Sequence, residues 1–221
     1  MALPALVIFD CDGVLVDSER LSHEVLQQML GEHGVALSLQ QTLDRFMGTS
    51  TETCLEVLAE LIGRDAPADF MHRFQRRSFA AFQASLAPVP GVPELLRALA
   101  QPYCVASNGP REKMRFTLGH TQLLPLFEGR LFSAQDVARP KPAPDLFLHA
   151  ANALGVAPQH CVVVEDSPTG VTAARQAGMA VYGFAAMGQA ERLRAAGATA
   201  TFGHMADLPR LMHQHPPTGD D

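Results

Sequence analysis

Apolar residues along this chain follow two patterns. Short unbroken runs occur at 5–10 (ALVIFD), 103–107 (YCVAS), 161–166 (CVVVED) and 179–184 (MAVYGF), with a weaker one at 198–202 (ATATF). Unbroken rather than alternating apolar strands predict a parallel sheet covered on both faces. Between these runs, residues 92–100, 111–119, 143–154 and 168–177 read as helices. Pro93 stands in the first turn of the first, and Gly178 stops the last. Strands alternating with helices predict an α/β fold, a parallel sheet flanked by helices.

Residues 18–86 break the alternation and hold no good strand. Leu21, Val25, Leu26, Met29 and Leu30 recur at helical spacing, as do Leu55, Leu58, Leu61 and Ile62. Phe70, Met71, Phe74, Phe79 and Phe82 form a third stripe. Thr49 and Glu52 have the spacing of a capping box. Residues 17–86 therefore read as a small all-helical domain inserted into a core made of 1–16 and 87–221. The Pro-rich stretch at 87–93 is a stiff return connection.

Composition narrows the picture. The 221 residues suit a core with one insertion, and 47% hydrophobic with 18% charged residues is ordinary for a soluble globular protein. A formal net charge of -6 gives no global pull toward nucleic acid or an anionic membrane. No apolar run is long enough to span a bilayer. Cys11, Cys54, Cys104 and Cys161 form no CxxC pair, and three lie in apolar runs, so a reducing cytoplasm is expected. The polar, Pro-rich tail 213–221 is expected to fray. A monomer is the default expectation.

Ligands of open α/β sheets bind at the carboxyl ends of the strands. The first strand ends in Asp10 and Asp12, the second in Ser107-Asn108-Gly109, and the run 161–166 in Glu165 and Asp166. A loop between the last two carries Lys141 between Pro140 and Pro142. Carboxylates converging on one point repel, and a hard divalent cation such as Mg²⁺ relieves that while also binding a phosphate. A carboxylate is a known nucleophile for phosphoryl groups. Lys141, Mg²⁺ and turn N–H groups would balance the phosphoryl charge. A second carboxyl two residues on could protonate the leaving oxygen and then activate water. Asp10 and Asp12 suit these two tasks.

DCDGVLVDSE, ASNGP, RPKPAPD and VVVEDSPTG resemble, in order, the four motifs of the haloacid dehalogenase superfamily of phosphohydrolases. The insert resembles the helical cap of its β-phosphoglucomutase-like branch, and residues 104–151 look most like phosphatases of the 6-phosphogluconate type. The resemblance implies a Rossmann-like core and a Mg²⁺-dependent phosphatase acting on a small phosphorylated metabolite, expected to be a sugar phosphate, through an aspartyl-phosphate. It implies Asp10 as nucleophile and metal ligand, and Asp12 as general acid/base that also binds the metal through its carbonyl. Ser107, Asn108 and Lys141 would hold the phosphoryl group. Asp166 would be a metal ligand, and Glu165 either a further ligand or a partner behind it. Gly13 would open the turn toward the insert. Mutases of this branch place a His where Ser22 aligns and an Arg where Thr51 aligns, so hydrolysis is expected over a phosphomutase. A retired enzyme that only binds a phosphometabolite is the other alternative, and the intact acids speak against it.

Each of these residues also admits a plainer role. Asp10 and Asp12 could cap a helix, Ser107-Asn108-Gly109 could be an ordinary turn, and Lys141 could be solvated. Glu165 and Asp166 could cap the helix at 168–177. Arg73, Arg76 and Arg77 read as a solvated face, the sharper alternative being a substrate anion. Cys11 is expected to pack with its side chain away from the flanking acids. Asp17 lies past the turn and outside the chemistry.

Overall fold

The computed structural model describes residues 3–49 and 51–215, and of Thr51 the backbone only. The chain divides into two compact units, Met1–Val16 with Ala87–Asp221, and Asp17–Leu86. In chain order the elements are β1 (Leu6–Phe9), α1 (Ser18–Glu32), α2 (Leu39–Phe46), α3 (Thr51–Ile62), α4 (Phe70–Ser85), α5 (Val92–Ala98), β2 (Tyr103–Ser107) and α6 (Arg111–His120). There follow β3 (Leu131–Ser133), α7 (Asp145–Ala153), β4 (Cys161–Glu165), α8 (Pro168–Gln176), β5 (Ala180–Phe184), α9 (Ala190–Ala195), β6 (Ala200–Phe202) and α10 (Leu208–Gln214).

The first unit holds a six-stranded, all-parallel sheet in the order β3-β2-β1-β4-β5-β6. The five apolar runs all form strands. Leu6, Val7, Ile8 and Phe9 are fully buried, as are Val162, Val163 and Val164, which is why these strands are apolar on both faces. One face packs Leu6, Ile8, Cys104 and Val163 against Leu146, Phe147 and Ala150 of α7 and Val171 and Ala174 of α8. The sequence pattern did not predict β3. It has three residues, LFS, at the sheet edge, too short for a periodic signal.

The strand order reverses direction between β1 and β4, the switch point where open α/β sheets bind ligands. Phe9 pairs with Val164, and the Asp10 N–H donates to the Val164 carbonyl at 3.0 Å. Register alone therefore sets Asp10 beside Glu165. After β1 the chain turns sharply at Gly13, whose φ of 76° is the left-handed region. Val16 then forms an antiparallel bridge with Pro88, and the Val89 N–H donates to the Leu15 carbonyl at 3.0 Å. The chain thus leaves the first unit and returns to it through one paired stretch.

The second unit is all-helical around Val25, Leu26, Met29, Leu30, Phe46, Leu58 and Phe70. Two members of the predicted stripes, Leu55 and Phe79, are exposed. The helix α2 was not predicted. It carries a full capping box at Ser38 and Gln41, but few apolar residues. Thr49 does not form the predicted box: its hydroxyl donates back to the Phe46 carbonyl at 2.7 Å.

Candidate active site

Lys141 is the centre of the site. Its ammonium donates to Asp10 Oδ1 and Glu165 Oε1, both at 2.6 Å, and to the Ala106 carbonyl at 2.8 Å. Its Nζ lies 4.6 Å from the centre of the Phe147 ring, a cation–π contact. The side chain is only 3% exposed, so the predicted alternative of a solvated lysine is excluded. Asn108 fixes the backbone beneath it twice. Its Nδ2 donates to the Lys141 carbonyl, and its Oδ1 accepts from the Lys141 N–H, both at 3.0 Å.

Burial pushes the Asp10 carboxyl up to about 7, against the lowering pull of the Lys141 ammonium; the Glu165 and Asp12 carboxylates add to the rise. Burial works against the Lys141 charge, yet Asp10 and Glu165 together hold the ammonium above the usual lysine range.

Glu165 is fully engaged inside the protein. Its Oε1 faces Lys141, and its Oε2 accepts from the Ser167 N–H at 3.1 Å and hydroxyl at 2.9 Å. Ser167 is the cap of α8, its hydroxyl oxygen accepting from the Gly170 N–H at 3.0 Å. The capping role that the sequence also allows Glu165 and Asp166 thus falls to Ser167. Gly170 lies directly against the Glu165 carboxyl: a Cβ there would stand 1.9 Å from Cδ. Asp166 is buried, and its carbonyl accepts from the Gln189 amide at 3.4 Å, which also bonds the Phe184 carbonyl at 3.2 Å.

Ser107, buried at the end of β2, accepts from the Gly109 N–H at 3.1 Å, and Ser133 of β3 holds the same turn by donating to the Gly109 carbonyl at 2.8 Å. Asp12 follows in the β1 turn, where its Oδ2 accepts from Lys113 Nζ at 2.8 Å. Cys11, between the two acids, is buried with its sulfur 3.8 Å from the Thr117 hydroxyl, a packing position. Burial pushes its thiol well up.

Asp10, Glu165 and Lys141 thus form one bonded cluster, with Asn108 behind it. Among the described residues, no three His, Cys, Asp or Glu side chains make a ready metal cage. The Glu165 carboxylate turns to Lys141, and the Asp12 carboxylate to Lys113. Arg73 and Arg77 of α4 bond Glu32 of α1 within the helical unit. Asp17 pairs with Arg20 at 2.6 Å. The Thr51 side chain and residues 216–221 of the tail lie outside the described residues.

The haloacid dehalogenase-like hydrolase family matches residues 4–178. This chain belongs to that family. It is similar to 6-phosphogluconate phosphatase of Escherichia coli K12, with 34% identity over 206 residues, 93% of each chain. Two solved structures share its fold. A haloacid dehalogenase-like protein of unknown function from Agrobacterium tumefaciens has a TM-score of 0.90 at 34% identity, covering 95% of this chain and 98% of that one. A family hydrolase from Deinococcus radiodurans, solved with bound phosphate and sodium, has 0.85 at 32%, covering 99% and 100%. This haloacid dehalogenase-like hydrolase is accordingly an enzyme of the phosphoric monoester hydrolase class.

Four residues that serve the hydrolase's site had not been singled out: Lys113, Phe147, Gly170 and Gln189. Three carried no local signal, since each acts through a contact that neither periodicity nor a motif marks. Lys113 did carry one. It stands in the first turn of α6, where the helix dipole disfavours a cation.

Proposed function

We propose that this enzyme is a metal-dependent phosphatase that hydrolyses a phosphate monoester of a small sugar-like metabolite through an aspartyl-phosphate on Asp10. The observation that carries the reading is the Asp10–Lys141–Glu165 cluster at the switch point of the sheet. The name of the Escherichia coli relative supports a phosphorylated sugar acid as the first substrate to try.

A cation suits the residues present. Asp10, Asp12, Glu165 and Asp166 supply four carboxylates, against the ammonium groups of Lys141 and Lys113. The excess of two negative charges matches a hard divalent ion, which would favour the ionised form of Asp10 that burial opposes. Mg²⁺ needs only one or two carboxylates because it keeps waters, so a ready cage is not required. Asp10, the Asp12 carbonyl and Asp166 would hold it. When bound, it would supply positive charge to the phosphoryl oxygens and keep Asp10 ionised. Glu165, fully engaged with Lys141 and Ser167, takes the place of a partner behind the ligands.

The chain's own residues then perform two displacements. Lys141 holds Asp10 Oδ1, which leaves Oδ2 to attack phosphorus. The bond from phosphorus to the ester oxygen breaks, its electron pair goes to that oxygen, and Asp12 delivers the proton. In the second step water attacks the aspartyl-phosphate, Asp12 takes its proton, and the P–O electron pair returns to Asp10. Ser107, Asn108 and Lys141 steady the phosphoryl oxygens throughout.

The test is release of inorganic phosphate from 6-phosphogluconate and a panel of sugar phosphates, with Mg²⁺ and with a chelator. Metal-dependent release that Asp10→Asn abolishes is expected. Robust turnover by Asp10→Asn would refute the covalent route, and conversion to an isomeric sugar phosphate without phosphate release would point to a mutase.

A further inference from the structure

Lys113 does not belong to the phosphoryl cluster, yet its ammonium lies 2.8 Å from Asp12 Oδ2 across 101 residues of sequence. Helix stability does not explain a lysine there, because the first turn of a helix favours acids. Nor does the ion pair explain it as a source of stability: the Lys113 side chain is 38% exposed, and pairs so open to solvent contribute little. The surroundings point elsewhere. A Cβ added at Gly109 would lie 3.7 Å from Asp12 Oδ2, 3.7 Å from Lys113 Cδ and 3.4 Å from Ser107 Oγ. The three side chains therefore meet over the bare α-carbon of Gly109, at the end of β2.

We propose that Lys113 is a positioning residue for proton transfer: it holds Oδ2 of Asp12 so that Oδ1 is the oxygen that carries and receives the proton. The inference rests on the role of Asp12 given above. During attack by Asp10 the P–O ester bond breaks, and its electron pair is neutralised by the proton from Asp12 Oδ1. Lys113 keeps all its protons throughout. Without Lys113 the Asp12 carboxyl can rotate, and the proton is delivered from the wrong place for part of the time.

Leaving-group selectivity reads this role directly. p-Nitrophenolate departs readily without a proton, whereas phenolate benefits from one. The two esters have nearly the same shape, and kcat/KM reports the first displacement. The measured quantity is the ratio of kcat/KM for p-nitrophenyl phosphate to that for phenyl phosphate, in the metal-loaded enzyme. Asp12→Asn should raise this ratio by about a hundredfold, in line with the usual worth of a general acid. Lys113→Met should raise it by about tenfold, since a misdirected acid retains part of its effect. Lys113→Arg, which can still hold Oδ2, should return the ratio close to that of the parent. In the Asp12→Asn background, Lys113→Met should add nothing. A merely structural lysine would slow both esters alike and leave the ratio unchanged; that result overturns the proposal. A further rise in the double variant overturns it too, and does not depend on how well the single variant folds. If Asp12→Asn itself leaves the ratio unchanged, the functional reading fails first and takes this inference with it.

Discussion

Gly170→Ala adds one methyl group at the most crowded point of the site. Gly170 is the third residue of α8, and the new Cβ would stand 1.9 Å from both Cδ and Oε1 of Glu165 and 2.3 Å from Oε2. Non-bonded carbons sit comfortably at about 3.5–4.0 Å, so the carboxyl must retreat by about 1.5 Å or more, or α8 must lift from β4. Glu165 has nowhere easy to go. It is 1% exposed, and its oxygens are bonded to Lys141, to the Ser167 N–H and to the Ser167 hydroxyl. Two effects oppose each other. Alanine is favoured over glycine inside a helix by about 0.5–1 kcal/mol. Overpacking costs about 1–3 kcal/mol, and losing a hydrogen bond to a charged group about 1.5–3 kcal/mol. The packing side wins, for a net loss of about 1.5–5.5 kcal/mol. In a chain of this length each kcal/mol shifts Tm by about 2–4 °C, so a fall of roughly 3–22 °C is expected by calorimetry. Phosphate release should fall at least about tenfold, because Lys141 loses one of its two carboxylate anchors. Gly119→Ala is the control: it lies in α6, and its Cβ would meet only Leu124 Cδ2, at 3.8 Å. It should leave Tm unchanged or raise it. A Gly170→Ala protein as stable as its parent would show that the close approach has no consequence and that the reasoning is wrong.

Asp10→Asn should end turnover while stabilising the metal-free protein. Folding raises this carboxyl from 3.8 to about 7, so the folded state keeps a proton that the unfolded chain releases, and stability falls as pH climbs between those values. Melting curves should therefore show Asp10→Asn above its parent at about pH 8, with the advantage gone near pH 4; parallel curves would contradict this. Lys141→Met leaves Asp10 and Glu165 buried without their shared cation and should cost about 3–5 kcal/mol in chemical denaturation, where a near-neutral result would mean that water reaches the cluster. Asn108→Ala removes both bonds to the Lys141 backbone and should cost about 1–3 kcal/mol with a clear loss of kcat. An unchanged kcat would show that the loop holds Lys141 without Asn108.

What could be read from sequence followed from how far each signal reaches along the chain. The strands 5–10 and 161–166 announced themselves because they are buried on both faces, and the acids that end them stood out against that apolar background. The short β3 and the weakly apolar α2 carried too little pattern to be seen. Lys141 could be singled out from its flanking prolines, but not its coupling to Glu165, which depends on the register of β1 with β4. Gly170 read as an ordinary helix residue because its meaning lies in the side chain pressed against it. Glu165 had two open readings, ligand or partner, and only the positions of both its oxygens favour one of them.

The pairing of Val16 with Pro88, and of Val89 with Leu15, has a consequence for how such a chain can change. Topologically, the whole of residues 17–86 is the turn of a hairpin whose two stems are already joined. Closing a longer or shorter turn over a fixed stem alters the entropy only logarithmically with length. An insertion here can be exchanged, enlarged or trimmed while β1, the acids after it and the strands beside it keep their register. The strand ends with their acids and the helical insertion are thus encoded in separable stretches of sequence, free to drift at different rates.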